Sequence, residues 1–466
     1  MSGERVAIVF RRLRSNRYSL AALVSAIDVK TAKGELQLQP RVVFADTPGE
    51  LLSLAAELKA RGYRVLAAYS FMTTSLPSLL GEIREVTAKL RAAGVASIAG
   101  GPHASGDPIG TLMLGFDYVV IGDGEESLPY ILKAMAKTKG PVNAEDLSRA
   151  PGVAFRNPDD GTYCYTGKAM ADLDRYPNFP YWRGIYAPIE LTRGCNFACR
   201  FCQVSFTHGG RLRHRRLGLV LEMAEALLSS NRGDLRFISP NAFSYLGDGR
   251  RPNVDALCLL LDSLEGLIER YGGRVFLGSF PSEVRPEHAA VDEAVGCIAG
   301  RVANRRVIIG AQSGSDRILR LMNRGHRVDD VIAAVETLNA HGFLADVDII
   351  VGFPGETRDD LEETVRLSEL LVSRYKARIH AHFYLPLPGT PISHLRPSEP
   401  DASLLRRLLR LSGSGRLYGE WLRQRELSAR LVELYEKGVI LGLRGLRLAR
   451  RCRAAPRLYP SSPSAS

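Results

Sequence analysis

Leu191-Thr-Arg-Gly-Cys195-Asn-Phe-Ala-Cys199-Arg-Phe201-Cys202 places three cysteines within eight residues, spaced Cys-x3-Cys-x2-Cys, directly after the short apolar run 189–191. Thiolates are soft ligands, so clustered cysteines suit zinc or an iron–sulfur cluster better than hard cations. Zinc ribbons and fingers bring their ligands as two separated pairs that close a four-coordinate site. This triplet has no evident fourth member, because Cys164, Cys258, Cys297 and Cys452 stand singly along the chain. Electron-transfer cubanes take four thiolates. Three thiolates on a four-iron cluster leave one iron open, as catalytic metal sites do and structural ones do not. Two other readings remain from spacing alone: a three-thiolate zinc knot closed by a distant histidine such as His208, or three cysteines with no common ligand.

Working outward, residues 187–395 contain six strand-like runs, each followed by a helical pattern: 189–192, 235–239, 275–279, 307–311, 347–351 and 379–385. That alternation predicts a partial (β/α)6 TIM-like barrel with its chemistry on loops at the carboxyl ends of the strands. Polar residues gather at those ends: the triplet after the first, then Ser239, Asn241 and Tyr245, then Ser279 and Glu283, then Gln312 and Ser313, then Gly352. His380 and His382 sit on the sixth strand, where we expect only one of the two to face inward unless the strand kinks.

Upstream, residues 1–140 alternate short β-rich runs (6–10, 42–45, 65–69, 95–99, 118–121) with helical patterns at 48–61 and 77–93. This predicts a doubly wound, Rossmann- or flavodoxin-like parallel sheet, which binds ligands beyond the carboxyl ends of its strands. Those ends carry Ser70, Gly100-Gly101-Pro102-His103 and Gly122-Asp-Gly124. Residues 141–186, punctuated by Pro151-Gly152 and Asn157-Pro-Asp-Asp-Gly161, read as a linker with a β-hairpin. Residues 396–466 read as a helical extension with apolar Leu404, Leu408, Trp421 and Leu431, ending in Arg444, Arg447, Arg450, Arg451 and Arg453. Such a basic helix contacts RNA or anionic lipid, or forms a solvated face over the barrel.

A chain of 466 residues with 45% hydrophobic content buries a sizeable core, spread over about two to four domains. Seven cysteines, three of them in one cluster, make no disulfide framework and fit a reducing cytoplasm. The first residues lack the apolar core of a signal peptide, and no apolar run approaches the ~20 residues of a membrane span. The net charge of +12 fits an anionic partner or a generally arginine-rich surface.

With Phe201 directly before its last cysteine, the triplet resembles the signature of the radical S-adenosylmethionine (radical SAM) superfamily. Val307-Ile-Ile-Gly-Ala-Gln312-Ser-Gly-Ser-Asp through Met322-Asn323-Arg324-Gly-His326 resembles that family's fourth-strand segment, where many relatives carry glutamate at the Gln312 position. Asp346-Val-Asp348-Ile-Ile-Val-Gly352-Phe-Pro-Gly-Glu-Thr357 resembles its fifth-strand segment. The resemblance implies a 4Fe-4S cluster on Cys195, Cys199 and Cys202 and SAM on the open iron, cleaved to a 5′-deoxyadenosyl radical. Phe201, Ser239, Asn241, Ser279, Gln312, Ser313 and Gly352 are then expected to line SAM.

The first half resembles the cobalamin-binding domain of the cobalamin-dependent (class B-like) branch at Ser70, Gly100, Gly101, His103 and the Gly122 segment. This implies bound cobalamin. The lower axial histidine of the Asp-x-His-x-x-Gly motif is absent, since the chain reads Arg11-Arg-Leu-Arg-Ser-Asn16 there. A degenerate doubly wound domain that only packs on the catalytic half is the alternative. Methyl transfer is the expected outcome, with Tyr245, Glu283 and His382 on the substrate side. The substrate is expected to be a small molecule or peptide, and the electron donor a ferredoxin or flavodoxin. The rivals are a cobalamin-assisted rearrangement or cyclisation, and RNA modification in the manner of the methylthiotransferases. Those enzymes carry extra N-terminal cysteines for a second cluster, and residues 1–163 contain none. Nucleic acid is therefore the less favoured partner.

Overall fold

β1 (Val6–Arg11), β2 (Arg41–Ala45), β3 (Arg64–Ser70), β4 (Ala96–Gly100) and β5 (Tyr118–Val120) lie parallel in the order β2-β1-β3-β4-β5. β1 is buried along its whole length and β3 along nearly all of it, the signature of strands covered on both faces. This is the flavodoxin order, and the winding reverses between β1 and β3, where such sheets bind ligands. Asn16 ties the loops of that reversal together, its side-chain amide donating to Arg11 O and Ser70 O at 2.9 Å each.

The hairpin expected within residues 141–186 is present, and it extends the first sheet. Asn143 caps a helix over Ala144–Arg149, and the antiparallel hairpin of β6 (Val153–Arg156) and β7 (Tyr163–Tyr165) joins β5. The hairpin docks because Val153, Phe155 and Cys164 continue the apolar face of the sheet. A further strand from the far end of the chain, Ala449–Arg451, pairs parallel with β7. This computed structural model describes residues 5–452, which divide into two units: 5–171 with 438–452, and 172–437.

The second unit is a partial barrel. Its strands are β8 (Ile189–Glu190), β9 (Thr192–Arg193), β10 (Arg213–His214), β11 (Asp234–Ile238), β12 (Arg274–Phe276), β13 (Arg306–Gln312), β14 (Leu344–Val351), β15 (Arg378–Phe383) and β16 (Leu417–Tyr418). Parallel arcs β8-β11-β12 and β13-β14-β15-β16 are stitched by Ile308 N–H to Gly278 O and Val284 N–H to Ile308 O, 2.8 Å each. The six expected strands are all present, and the extension adds β16 between its helices Ala402–Gly413 and Trp421–Glu436. Beyond Glu436 the extension leaves the helical pattern, because Gly438 and Gly442 take positive φ. A tight turn over Gly442–Leu448 and the added strand follow. Arg453 and residues 460–466 lie outside the described residues.

The cysteines outside the triplet are not single in space. Cys164 is bonded to Cys452 in the first unit and Cys258 to Cys297 in the second, each pair 5.7 Å apart at Cα. This corrects the reading of scattered cysteines: the sheet edge and a helix pair bring them together. No described helix is long and apolar enough to cross a membrane.

The entry to the cysteine loop is fastened by Glu190 on β8. Its carboxylate accepts two hydrogen bonds from Arg193 (2.7 and 2.8 Å) and one from Arg215 (2.9 Å). Arg215 is 1% exposed and also donates to Tyr176 O at 2.6 Å and to Leu173 O. Burial works to raise the Glu190 carboxyl, yet the two guanidiniums hold it down at about 2.

Candidate active site

The cysteine loop turns at Gly194, whose φ of +87° and a would-be Cβ only 2.2 Å from Arg211 O exclude any side chain. Cys202 N–H donates to Cys199 O (3.0 Å), and Ala198 N–H to Ser205 Oγ (3.2 Å). The loop is pinned to the segment after β13 by Arg200 N–H on Met322 O (2.9 Å) and Asn323 Nδ2 on Phe197 O (2.8 Å). Cys195, Cys199 and Cys202 are all free thiols. Arg324 Nη1 lies 3.5 Å and Arg285 Nη1 4.0 Å from Cys199 Sγ, and the Arg285 guanidinium sits 3.4 Å over the Phe197 ring.

Burial, reinforced by its two neighbouring cysteines, pushes the Cys202 thiol up to about 12. Ligation therefore displaces protons, and two buried guanidiniums stand ready to balance the resulting negative charge. The donor set fits a cluster held by three thiolates. With the other four cysteines in disulfides, no fourth thiol is available.

Glu283, Gln312 and Arg324 converge on the bare backbone of Gly310. A Cβ there would fall 2.8 Å from Arg324 Nη2 and from Gln312 Nε2, and 3.2 Å from Glu283 Oε2. Gln312 reaches this point because it ends β13 at φ +73°, where the register against β14 shifts. Non-glycine residues rarely adopt that conformation. Burial, with help from Asp348, raises the Glu283 carboxyl against the pull of Arg324. Phe201 packs on the apolar group Ile318, Met322, Ile350, Phe353, Tyr384 and Ile392. Gly352, at φ +76°, lies against the Phe383 ring and donates its N–H to Glu356 Oε2 at 2.7 Å. Ser279 Oγ is buried without a hydrogen-bond partner among the described residues.

Four expected site residues turn inward to the protein instead. Tyr245 is 1% exposed and donates to Arg215 O at 2.8 Å, so it braces the barrel wall. Ser239 Oγ donates to Asn241 O, and the Asn241 amide is engaged by Ser244 Oγ, His288 Nδ1 and Arg285 N–H. Ser313 Oγ lies buried against Thr364 Oγ1 at 3.1 Å. The expectation for the sixth strand is also corrected. Residues two apart on a strand share a face, and the rings of His380 and His382 lie side by side, 4.2 Å apart, both reaching Asp348.

In the first unit, Ser70 Oγ meets Ser19 Oγ (3.2 Å) across the β1/β3 reversal. Gly101 (φ +91°) lets the next turn approach Ser70 and Phe71, where a Cβ would come within 2.9 Å of Ser70 Oγ. Gly100, at the end of β4, is more open, its nearest such contact being Val120 Cβ at 3.7 Å. His103 does not reach the surface. It is 0% exposed, stacks on Phe71 and bonds Thr73 Oγ1 through Nδ1 at 3.1 Å. It is therefore an internal brace, which corrects its expected role as a ligand contact. No other histidine occurs in residues 1–171. These small, polar strand ends would let a broad macrocycle approach the backbone, held at Ser70, Gly100 and Gly101.

Residues 189–368 match the family described as the Radical SAM superfamily, and residues 26–132 match the B12 binding domain. The chain joins a B12-binding domain to a radical SAM domain. The first implies cobalamin; the second implies a 4Fe-4S cluster and SAM. Over 275 residues the chain is 28% identical to the tRNA-2-methylthio-N(6)-dimethylallyladenosine synthase of Alkalilimnicola ehrlichii, covering 57% of this chain and 58% of that protein. It thus spans only a little over half the length of such relatives. Among solved structures, the radical SAM methyltransferase TsrM from Kitasatospora setae, with cobalamin and a 4Fe-4S cluster bound, superposes with a TM-score of 0.61 at 17% identity, covering 84% of this chain and 77% of that one. The cobalamin-dependent SAM radical enzyme OxsB with aqua-cobalamin gives 0.60 at 13% identity, covering 78% and 52%. At these identities both likenesses speak for the fold.

Sequence reasoning missed Arg285 and Asp348 as site residues, and passed over Arg324. Arg324 and Asp348 lay within the two segments that resemble the family. Their pairing with Cys199 and with the histidines depends on contacts between distant strands, which spacing does not reveal.

Proposed function

We propose that this protein is a cobalamin-dependent radical SAM methyltransferase acting on a small molecule or peptide, with a ferredoxin or flavodoxin as reductant. The observation that carries the reading is three free thiols on one loop, flanked by two buried guanidiniums, in a chain that also holds a B12-binding domain. When bound, the cluster and SAM supply a 5′-deoxyadenosyl radical and cobalamin supplies a methyl carrier.

The chain's own residues bind, orient and handle protons. Arg324 and Arg285 hold positive charge against Cys199. The missing Cβ of Gly310 lets the Glu283, Gln312 and Arg324 side chains close in on its backbone. Neutral Gln312 offers an amide there without adding negative charge. Burial raises the Glu283 carboxyl, with Asp348 adding to the effect, which suits Glu283 to hold a proton for a substrate.

Anaerobic reconstitution with iron and sulfide, followed by incubation with methyl-labelled SAM, tests the reading. Cluster and cobalamin absorbance, 5′-deoxyadenosine release and label in a product are the expected results. Label in no product, with 5′-deoxyadenosine still formed, would favour rearrangement or cyclisation. RNA modification is a second reading, favoured by the similarity to a tRNA methylthiotransferase. It predicts RNA binding that weakens steeply with salt, yet residues 1–163 hold no cysteine for a second cluster.

A further inference from the structure

β14 and β15 are parallel neighbours in which Asp348 stands directly opposite His380, and Ile350 opposite His382. Because side chains repeat every second residue, Asp348, His380 and His382 all point to the same face of this strand pair. His380 Nδ1 lies 2.9 Å and His382 Nε2 4.0 Å from Asp348 Oδ1, and the three candidate ligand atoms all fall within 4.8 Å of one another. Atoms bound at ~2 Å to one zinc-class ion stand roughly 3.3 Å apart, so small side-chain rotations bring the set to coordination distance.

The side chains are 11%, 28% and 30% exposed, so an ion can enter and still find Asp348 nearly dry. Tyr418 stacks flat on the His380 ring at 4.6 Å and fixes its plane.

We propose that Asp348, His380 and His382 form a binding site for a divalent ion of the zinc class, with no cysteine in it. Two imidazoles and one carboxylate leave one or more positions open, the arrangement of sites that activate water or polarise a bound oxygen. One neighbour sets the affinity. Gln424 Oε1 accepts from Phe383 N–H at 2.8 Å, which directs its amide nitrogen toward His382 Nδ1 at 3.4 Å. Ligation through Nε2 needs the proton on Nδ1, and hence an acceptor where Gln424 now presents a donor. A glutamate at 424 would serve both Phe383 N–H and Nδ1–H, as the carboxylates behind metal-bound histidines do.

The test titrates Zn2+ and Co2+ into the full chain. One form carries Cys195→Ala, Cys199→Ala and Cys202→Ala; the other is wild type with its cluster loaded. The first is read by the cobalt d–d spectrum, the second by zinc per chain after unbound metal is removed. One equivalent is expected in each, with a cobalt spectrum lacking thiolate charge transfer. His382→Gln and Asp348→Asn should weaken binding at least ~10-fold, and Gln424→Glu should tighten it by ~10-fold. No metal uptake in either form overturns the proposal, and so does uptake that His380→Gln and His382→Gln leave unchanged in variants with wild-type circular dichroism. Neither readout uses SAM cleavage, so this proposal and the proposed function fail separately.

Discussion

Replacing Glu190 with glutamine keeps the shape and removes the charge that two arginines grip. Arg215 is the partner that suffers, since it is buried and cannot recover hydration. Breaking a buried pair from one side costs about 3–5 kcal/mol. The proton linkage gives an independent figure. An ordinary glutamate value of 4.5 lowered to about 2 in the fold corresponds to about 3 kcal/mol.

Because the folded value is depressed, that stabilisation is present in full above pH 4.5 and fades as pH falls toward 2. Urea unfolding of wild type and Glu190→Gln, followed by circular dichroism, should show a gap of about 3 kcal/mol at pH 7 and about 1 kcal/mol at pH 3. A gap that stays constant with pH would refute the electrostatic account. A gap below about 0.5 kcal/mol at pH 7 would show that water reaches Arg215 after all. Glu190 lies just before the triplet, so iron incorporation should fall in step with stability.

Cys199→Ala should reduce reconstituted iron and visible absorbance to background, with the fold retained by circular dichroism; full iron content would dismiss the cluster assignment. Gln312→Gly relieves a positive φ and should raise stability by about 1 kcal/mol. It should also weaken SAM binding in equilibrium dialysis, a trade that a purely structural Gln312 would not show. Gly352→Ala pushes a Cβ to 2.6 Å from the Phe383 ring at φ +76°. It should cost at least about 2 kcal/mol in urea unfolding.

The strands themselves and the triplet were legible because both are local. Val6 to Phe10 or Val347 to Val351 announce a buried strand by composition, and Cys-x3-Cys-x2-Cys by spacing. Residues that face one another from separate strands were not legible. Arg324 meets Cys199 from 125 positions away, and Cys164 meets Cys452 from 288. Tyr245 and Asn241 looked like site residues because they stand at a strand end, and only the structure reveals that Arg215 O and His288 occupy them. The histidine pair was misjudged through strand periodicity, since alternation separates neighbours and unites residues two apart.

The first sheet closes only with residues from the other end of the chain. Ala449–Arg451 supplies its outermost strand, and Leu441 N–H and Gly442 N–H reach the buried Asp107 carboxylate at 3.2 and 2.9 Å. A ribosome therefore delivers the whole barrel before the domain begun first can be completed. Until then its hairpin edge stays bare and Asp107 lacks these two donors. A chain cut after residue 437 would hold every residue of the second unit and an unfinished first.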